Sequence, residues 1–352
     1  MKVRRSKPID IIVLPVNQLK GDWDGGEPIE GFDVRMVFRV LETRGFRTEL
    51  LNLNSWPLNP FARKHPLFRA IDPIRALKAL IFRRRAAIAF CPYEASGLLL
   101  LLLRKIFRSK LKIVVFDCGT PGDWPLRDRL IDIVGTRADA VMLICSTQAR
   151  ILQARYPDPS RLDFVGSAVD TRYFLPAPDQ PLGPVIAVGD DVARDFDTFR
   201  AAVAPLSAQA IAKTSMIQED LTNYPNVRVL SKRLSREAYR DLLASAVVVV
   251  VPLHSAMHAS GTSTFLEAMA LGKAVVVSDS PGMRDYIINE SNCLVVPCND
   301  PDALRTAIIR LIDDREFRIL LASNARAYAE QQCSPEAVAP NFEKIFRHLV
   351  AG

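Results

Sequence analysis

The sequence has few side chains that could build a metal site or a disulfide framework. Among 352 residues there are six cysteines and four histidines; the cysteines are scattered, form no CxxC pair and stand near no histidine at ligand spacing. Cysteines placed singly inside apolar runs are typical of reduced, buried thiols in a cytoplasmic protein. A zinc site, a redox pair and a disulfide-stabilised fold are therefore disfavoured, and we predict no metal and no resident cofactor.

Long hydrophobic runs are missing as well. The longest nearly apolar stretch, Ala86 to Leu103, is interrupted by Pro92 and Glu94, and the amino-terminal residues pass from charge straight into a strand-like run without a cleavage site. We therefore expect neither a membrane span nor a signal peptide. Hydrophobic residues make up 49% and charged residues 24% of a chain with ordinary glycine and proline content, which excludes collagen-like and largely disordered proteins.

Acidic residues are scarce over one part of the chain. The formal net charge is +7, and residues 61–110 contain twelve basic side chains but only two acidic ones, Asp72 and Glu94. Two interpretations stay open: a surface helix that rests on anionic lipid at the inner face of the membrane, or a solvated basic face. Nucleic acid is not expected as a partner, because no recognition helix is visible and aromatic residues do not alternate with basic ones. The apolar residues interleaved with the cations are Phe61, Leu67, Phe68, Ile71, Ile74, Leu77, Ile81 and Phe82.

Short β-rich runs alternate with helical stretches from end to end. Strand followed by helix, repeated, predicts parallel sheets covered by helices on both faces, so the fold class is α/β and doubly wound. A proline-rich stretch at residues 176–184 divides the pattern and predicts two domains, residues 1–176 and residues 177–334. The predicted strands are Ile9 to Val16, Thr48 to Leu53, Ala87 to Phe90, Lys112 to Phe116, Ala140 to Ile144, Leu162 to Val165, Val185 to Val188, Ala208 to Ala212, Val227 to Leu230, Val247 to Val251, Ala274 to Val277 and Cys293 to Val296.

The segment from Val247 to Ile287 contains the most informative local pattern. A buried strand is followed by a loop, and the small residues Ser260, Gly261, Thr262, Ser263 and Thr264 open a helix that carries Glu267 and stops at Gly272. Free backbone N–H groups and the positive end of a helix attract an anion, so this turn predicts a phosphate site, and Glu267 would then reach a vicinal diol such as a ribose. The alternative is that the hydroxyls only cap the helix and that Glu267 is solvated.

The run from Phe265 to Ile287 resembles the donor-binding signature of glycosyltransferase family 4, also called group 1, which has the GT-B fold. The resemblance implies two Rossmann-like domains that face each other across a cleft, a last helix at residues 335–352 that crosses back to the first domain, and a glutamate, here Glu267, that holds the ribose of a nucleotide sugar. Gly189, with Arg194 behind it, resembles the opening of the second domain, where a basic residue binds the diphosphate. Lys232 is a lesser candidate for that role, as are Lys213 and Arg233.

The acceptor is expected on loops of the first domain. Gly25, Gly26 and Glu27, followed by a helical stretch, resemble the first glycine-rich loop of the family. The residues predicted on the acceptor side are Trp23, Gly26, Glu27, Tyr93 and Trp124.

Two positions depart from the family pattern. The family has a glutamate eight residues before Glu267, where this sequence has Ala259, with His258 beside it as a candidate replacement. The family also tends to place a histidine after a strand of the first domain, where this sequence has Asp117. Asp117 is either a general base for the acceptor hydroxyl or the cap of a turn.

We predict a glycosyltransferase that moves a sugar, with UDP preferred as the nucleotide, to a hydroxyl of a glycan or lipid-linked acceptor in cell-envelope or exopolysaccharide synthesis. The predicted catalytic residues are Asp117, Arg194 and Glu267, and the resemblance implies retention at the anomeric carbon. Because of Ala259 and the missing histidine, a catalytically silent GT-B module that binds nucleotide sugar or glycan is the alternative. Arg194 could instead form a surface ion pair with Asp195 or Asp197.

Overall fold

The computed structural model describes residues 9–15, 34–55, 57–59, 70–82, 86–117, 119–120, 122, 125–156, 158, 161–217 and 225–351. The chain divides into two compact units, the first formed by Met1–Gly166 with Val338–Gly352 and the second by Ser167–Ala337. Each unit is built around its own parallel sheet of six strands, counted over the described residues.

The first unit has the strand order β2-β1-β3-β4-β5-β6. Its elements are β1 (Ile9–Val13), α1 (Val34–Thr43), β2 (Phe46–Leu50), α2 (Pro73–Leu77), a π-helical turn (Lys78–Phe82), β3 (Ile88–Pro92), α3 (Tyr93–Leu103), β4 (Lys112–Phe116), α4 (Pro125–Arg137), β5 (Ala140–Leu143), α5 (Ser146–Arg155) and β6 (Leu162–Phe164).

The second unit has the order β12-β11-β10-β7-β8-β9. Its elements are β7 (Val185–Val188), α6 (Phe196–Val203), β8 (Ala210–Lys213), β9 (Val227–Leu230), α7 (Arg236–Ala244), β10 (Val248–Val251), α8 (Thr262–Ala270), β11 (Val275–Ser278), a 3-10 turn (Pro281–Met283), β12 (Leu294–Val296), α9 (Pro301–Asp313), α10 (Arg315–Gln332) and the start of α11 (Pro335–Ala351).

The doubly wound α/β prediction is confirmed, and each of the twelve predicted strands occurs within a few residues of its expected place. Strands with unbroken apolar runs lie at the centre of their sheet: every residue of Val248–Val251 is buried, as a strand covered by helices on both faces requires. In the second sheet the chain runs outward from β7 and then returns to β10, so these two strands are hydrogen-bonded neighbours. Ligands of such sheets bind outside the carboxyl ends of the strands where the order reverses.

The boundary between the units lies at Gly166, about ten residues before the proline-rich stretch. Residues 167–176, predicted to close the first domain, belong to the second unit. Val169 and Phe174 are buried in the core of that unit, and the backbone N–H groups of Val169 and Ala177 donate to Cys333 and Leu271. These core contacts and hydrogen bonds make residues 167–176 part of the second unit. The prediction from composition had placed the boundary at the prolines instead.

The last helix, α11, joins the first unit from Val338 onward. There Phe342 and Phe346 lie in an aromatic cluster with Phe38 and Phe90, with ring centroids 6.1–6.5 Å apart across the contacts of α11. Aromatic contacts of this kind add to the apolar area that the helix buries.

The basic segment does not form the membrane-facing helix that one interpretation expected, as far as the described residues 70–82 show. Arg75 is 1% exposed, and its guanidinium donates to the carbonyl oxygens of Pro15 and Ala70 at 2.6 and 2.7 Å. Ala79 and Leu80 are buried in the core. These residues are part of the interior, where backbone carbonyl oxygens and the nearby Asp72 carboxylate stabilise the Arg75 cation. Residues 61–69 and 83–85 lie outside the described residues. No helix in the described part of the chain is long and apolar enough to span a bilayer.

Candidate functional site

Two loops of the second unit meet at the carboxyl ends of β7 and β10. The loop after β7 runs from Gly189 to Asp195, and the loop after β10 runs from Pro252 to Gly261. Their backbones are hydrogen-bonded, since the N–H of Asp195 donates to Pro252 and the N–H of His254 donates to Ala193, at 3.1 and 2.9 Å. The candidate site therefore lies where the strand order reverses, on a backbone fixed by direct pairing.

Helix α8 begins at this junction without a side-chain cap. Gly261 is the N-cap residue, with a φ of +82°, and makes no side-chain cap hydrogen bond. The Thr262 hydroxyl donates instead to the carbonyl oxygen of Ala259, and Ser263 is exposed. The interpretation that the hydroxyls merely cap the helix is thus wrong for Thr262, and the positive helix end stays available to an anion.

Arg194 lies under this helix start and is 5% exposed. Its Nη2 donates to Thr264 Oγ1 at 3.2 Å, whereas Nε and Nη1 are buried without a hydrogen-bond partner among the described residues. Burial lowers the pKa of Arg194. An unpaired buried donor costs about 1–3 kcal/mol, and more when it is charged. Such a group in a folded protein requires an explanation, and a bound anion would supply the missing acceptors.

Two glycines leave the space that the Arg194 side chain occupies. A Cβ at Gly189 would lie 2.3 Å from Arg194 Nε, and a Cβ at Gly261 would lie 3.1 Å from Arg194 Nη1 and 2.8 Å from Val251 Cγ1. Gly189 is a predicted ligand-binding position because of the resemblance to the family, and Gly261 because it belongs to the small-residue turn before a helix. The structure shows a more specific reason for glycine, which is the close approach of the guanidinium.

The alternative role of Arg194, an ion pair with Asp195 or Asp197, is wrong. Asp195 caps α6 by accepting from the N–H of Thr198 at 2.9 Å, and Asp197 pairs with Arg200. Asp195 is thus the N-cap residue of α6. The described residues contain no group of three or more side chains placed to hold a metal ion.

Glu267 lies on the second turn of α8 and accepts a hydrogen bond that the sequence did not reveal. Tyr239, on α7, has its Oη 2.6 Å from Glu267 Oε2 and 3.4 Å from Thr264 Oγ1. Because a carboxylate can only accept, the phenol proton goes to Glu267. Burial, and next the charge and hydrogen bond of Glu267, raise the pKa of Tyr239 well above its ordinary value. Arg194, Thr264, Tyr239 and Glu267 thus form one connected polar network.

Ser260, predicted to bind the ligand, uses its hydroxyl to join the two loops. It donates to Asp191 Oδ1 at 2.7 Å, and the same oxygen accepts from the N–H of Ala193 at 2.8 Å. His258, the candidate replacement for the missing glutamate, has its Nε2 3.9 Å from that oxygen. His258, followed by Ser260 and the Ala193 amide, holds the pKa of the Asp191 carboxyl well below its usual range. Asp191 is therefore an anion that organises the loops.

The loop after β10 is also held from its other side. Ser278 accepts from the N–H of Leu253, and Ser280 accepts from the N–H of Ala256, both at 3.0 Å. Gly282 approaches so closely that a Cβ there would lie 1.9 Å from the carbonyl oxygen of His258. Ala259, which stands where the family has a glutamate, thus belongs to a loop whose backbone is held by these hydrogen bonds and close contacts.

The remaining basic candidates differ in burial. Lys213 ends β8 and is 7% exposed, and its carbonyl oxygen accepts from the N–H of Gly189. Lys232 and Arg233 are exposed in the connection between β9 and α7. The structure therefore brings Lys213 next to the loop that carries Arg194, while Lys232 remains a surface residue.

In the first unit, Tyr93 and Asp117 lie side by side at the carboxyl edge of the sheet. Pro92 pairs with Phe116 in the register of β3 and β4, and each of the two residues comes next in its chain. Their φ angles are +58° and +53°, a left-handed conformation that is unfavourable for residues with a Cβ and that occurs most often at functional sites. The other predicted acceptor-side residues, Trp23, Gly26, Glu27 and Trp124, lie outside the described residues.

Residues 215–328 match the family described as "Glycosyl transferases group 1". The matched residues lie within the second unit. The matched residues include the start of α8, Tyr239 and Glu267, while Gly189 and Arg194 come before them. A segment of 99 residues is 29% identical to the uncharacterized glycosyltransferase MJ1069 of Methanocaldococcus jannaschii, covering 28% of this chain and 25% of that protein. The match thus spans about a quarter of that curated relative.

Solved structures extend the likeness in fold from the matched residues to nearly the whole chain. Sucrose-phosphate synthase from Thermosynechococcus elongatus has a TM-score of 0.77 at 19% identity, over 98% of this chain and 100% of that one. HepE from Anabaena, solved in complex with UDP and glucose, has a TM-score of 0.73 at 14% identity, over 97% and 100%. The prediction of the GT-B fold, with two Rossmann-like units, is confirmed.

Proposed function

We propose that the protein is a glycosyltransferase that transfers a sugar from a nucleotide diphosphate sugar to the hydroxyl of a glycan or lipid-linked acceptor. The observation that carries this proposal is Arg194, a buried guanidinium whose Nε and Nη1 have no hydrogen-bond partner among the described residues, beside the start of α8. The group 1 family match supports the same reaction class. The product would enter a pathway that builds cell-envelope glycans or exopolysaccharide.

The donor diphosphate binds between Arg194 and the first turn of α8. A diphosphate supplies acceptors for Nε and Nη1 of Arg194, and arginine–phosphate pairs are among the stronger charge-assisted hydrogen bonds. The N–H groups of Thr262, Ser263 and Thr264 add the field of the helix end. When the bond from the sugar to the phosphate breaks, negative charge grows on the leaving diphosphate, and donors fixed in advance stabilise it.

The ribose binds at Glu267, one to two turns farther along the same helix. A carboxylate accepts from both hydroxyls of a vicinal diol, and Tyr239 orients this carboxylate by donating to Oε2. UDP is our first choice of nucleotide, because the structurally similar HepE is described with UDP and glucose.

Tyr239→Phe is expected to weaken UDP binding by about three- to tenfold, because a hydrogen bond to a charged acceptor contributes roughly 1.5–3 kcal/mol and only part of it concerns the ligand. Isothermal titration calorimetry with UDP and with 2′-deoxy-UDP measures this. Tyr328→Phe, which removes a phenol bonded to the carbonyl oxygen of Asp285 in the same unit, is the matched control and should leave both affinities unchanged. Equal weakening of the two nucleotides by Tyr239→Phe would contradict the role of Tyr239 at the ribose.

The stereochemical outcome is proposed to be retention at the anomeric carbon, with the leaving diphosphate receiving the acceptor proton. In this reaction Asp117 orients the acceptor hydroxyl. Proton NMR of the first product formed distinguishes the anomers. An inverted product would instead make Asp117 the general base that removes the proton.

The competing function is a silent module that binds nucleotide sugar without transferring it, which is motivated by Ala259 in place of the family glutamate. A thermal-shift panel of nucleotides and nucleotide sugars tests donor binding, since a ligand of the native state raises the melting temperature. Transfer and slow donor hydrolysis are then measured with the sugars that bind. Binding without either reaction supports the silent module, and absence of any nucleotide binding overturns both.

We propose in addition that an anionic membrane surface is a partner, through the end of α3 and the residues after it, here called the basic tip (residues 102–110). Ile106 is 72% exposed, and Leu102 and Phe107 are also exposed. The exposed cations Lys105, Arg108 and Lys110 are interleaved with them along the chain. Apolar side chains among cations fit an anionic lipid surface, where each cation contributes about 1 kcal/mol.

Ile106→Ser combined with Phe107→Ser is expected to reduce sedimentation with phosphatidylserine-containing vesicles by about tenfold or more, because both the apolar contact and its anchoring of the cations are lost. Leu182→Ser, which changes a side chain that is 99% exposed in the second unit, is the control. Wild-type protein that stays in the supernatant at low salt, or sediments equally with neutral vesicles, would rule out this partner.

A further inference from the structure

A buried carboxylate lies beside the acceptor edge of the first unit. Glu94 occupies the first turn of α3 and is 0% exposed. Its Oε1 accepts from Arg127 Nε at 2.6 Å, and its Oε2 accepts from the backbone N–H of Gly119 at 3.3 Å. Burying a carboxylate is unfavourable unless it is paired. The charge of Arg127 and the N–H of Gly119 therefore stabilise Glu94 in this buried position. Glu94 is not among the residues assigned so far to the reaction.

Arg127 lies directly against the backbone of Gly119. A Cβ at Gly119 would be 2.5 Å from Arg127 Cζ and 2.6 Å from Nη2, so any larger residue would have to move a guanidinium that Glu94 holds. Arg127 belongs to the first turn of α4, which begins at Pro125. Glu94 therefore joins the start of α3, the turn after β4 and the start of α4.

The two residues in left-handed conformation are attached to this junction. Tyr93 immediately precedes Glu94, and Asp117 stands two residues before Gly119. Both have φ angles near +55°. A left-handed conformation at a residue with a Cβ persists only where surrounding contacts impose it. The bonds from Glu94 to Gly119 and Arg127 are contacts of that kind.

We propose that Glu94 and Arg127 are positioning residues, which hold Asp117 and Tyr93 in the geometry that receives the acceptor hydroxyl. This inference rests on the proposed glycosyltransferase function. Asp117 accepts the hydrogen bond of the reacting hydroxyl, and Tyr93, which is 42% exposed, contacts the ring that carries it. Glu94 contacts neither the acceptor nor the donor, and acts only through the turn that follows β4.

Glu94→Gln tests this role with little change in side-chain size. One carboxylate oxygen becomes an amide nitrogen, which cannot accept a hydrogen bond and therefore faces a donor that has lost its acceptor. We expect transfer to a soluble acceptor analogue to fall roughly 10- to 100-fold in kcat/KM, as small misplacements of catalytic groups do. The affinity for UDP and the rate of donor hydrolysis should change by less than about twofold, because the donor residues belong to the second unit.

Asp139→Asn is the matched control. Asp139 also accepts from an arginine and a backbone N–H, those of Arg104 and Ile113, but it lies at the amino-terminal edge of the same sheet. Asp139→Asn should lower thermal stability without changing kcat/KM for the acceptor. An equal loss of transfer in Asp139→Asn would show that Glu94→Gln acts only through stability.

A double-mutant cycle with Asp117→Asn decides whether Glu94 acts through Asp117. The loss caused by Glu94→Gln should shrink to about twofold or less in the Asp117→Asn background. If Glu94→Gln does not fold, Arg127→Lys replaces it in the cycle. An undiminished loss in the Asp117→Asn background, or no loss in the wild-type background, overturns this inference while donor binding stands. Wild-type protein that binds no nucleotide sugar overturns the proposed function, and this inference with it.

Discussion

Arg194→Met is expected to lower the rate of sugar transfer by about 100- to 1000-fold, with a smaller effect on donor affinity. Removing one donor aimed at developing negative charge typically costs about 2.7–4 kcal/mol of barrier. Methionine is unbranched and apolar, so it occupies part of the space left by Gly189 and Gly261 without offering a donor. Transfer and donor hydrolysis, measured at saturating nucleotide sugar, should fall together, because both break the bond to the diphosphate.

The stability of Arg194→Met carries a second expectation with the opposite sign. In the free protein Arg194 is a buried charge with two unpartnered donors, and replacing such a group by an apolar one is often neutral or stabilising. We therefore expect the melting temperature without ligand to stay constant or rise, and the increase caused by UDP to shrink.

Arg318→Lys is the control for Arg194→Met. Arg318 is equally buried in the same unit, but its guanidinium is fully used by Asp179 and by the carbonyl oxygens of Leu311 and Ile312. Its replacement should lower the melting temperature and leave the rate of transfer unchanged. An Arg194→Met variant that is strongly destabilised yet fully active would contradict the placement of the diphosphate.

Glu267→Ala is expected to reduce kcat/KM for the nucleotide sugar by at least roughly 100-fold, because each hydrogen bond to a charged group is worth about 1.5–3 kcal/mol and two ribose hydroxyls lose their acceptor. A 2′-deoxy donor supplies the chemical counterpart of this change. The wild-type enzyme should discriminate against that donor, whereas Glu267→Ala should accept both donors nearly equally.

Glu330→Gln provides the matched control for Glu267→Ala. Glu330 is a helical carboxylate of the same unit that pairs with Arg326 on the surface of α10. Its kinetics should match those of the wild-type protein. Full discrimination against the 2′-deoxy donor in Glu267→Ala would mean that another group binds the ribose.

The residues tested by these predictions differ in how well the sequence alone predicts that they share one site. Glu267 and the small residues before it stand in one continuous stretch, so helix periodicity places them together without knowledge of the fold. Arg194 lies about 70 positions away, and its proximity to Thr264 follows from the pairing of β7 with β10, which no local pattern reveals. The sequence did not predict Tyr239 as a site residue. A single tyrosine on an amphipathic helix has no recognisable sequence pattern, and its role depends on the contact of α7 with α8.

Order along the chain was sufficient to predict the alternation of strands and helices, the parallel sheets and the turn of small residues before α8, because these follow from local periodicity and from the backbone preferences of small residues. Local sequence patterns could not predict which polar side chains find hydrogen-bond partners and which do not. The unsatisfied guanidinium of Arg194, the hydroxyl of Ser260 used by Asp191, the interior position of Arg75 and the buried pair of Glu94 with Arg127 depend on contacts between residues distant in the chain. Burial and hydrogen bonding are properties of three-dimensional neighbours, and those neighbours exist only once the two sheets have formed.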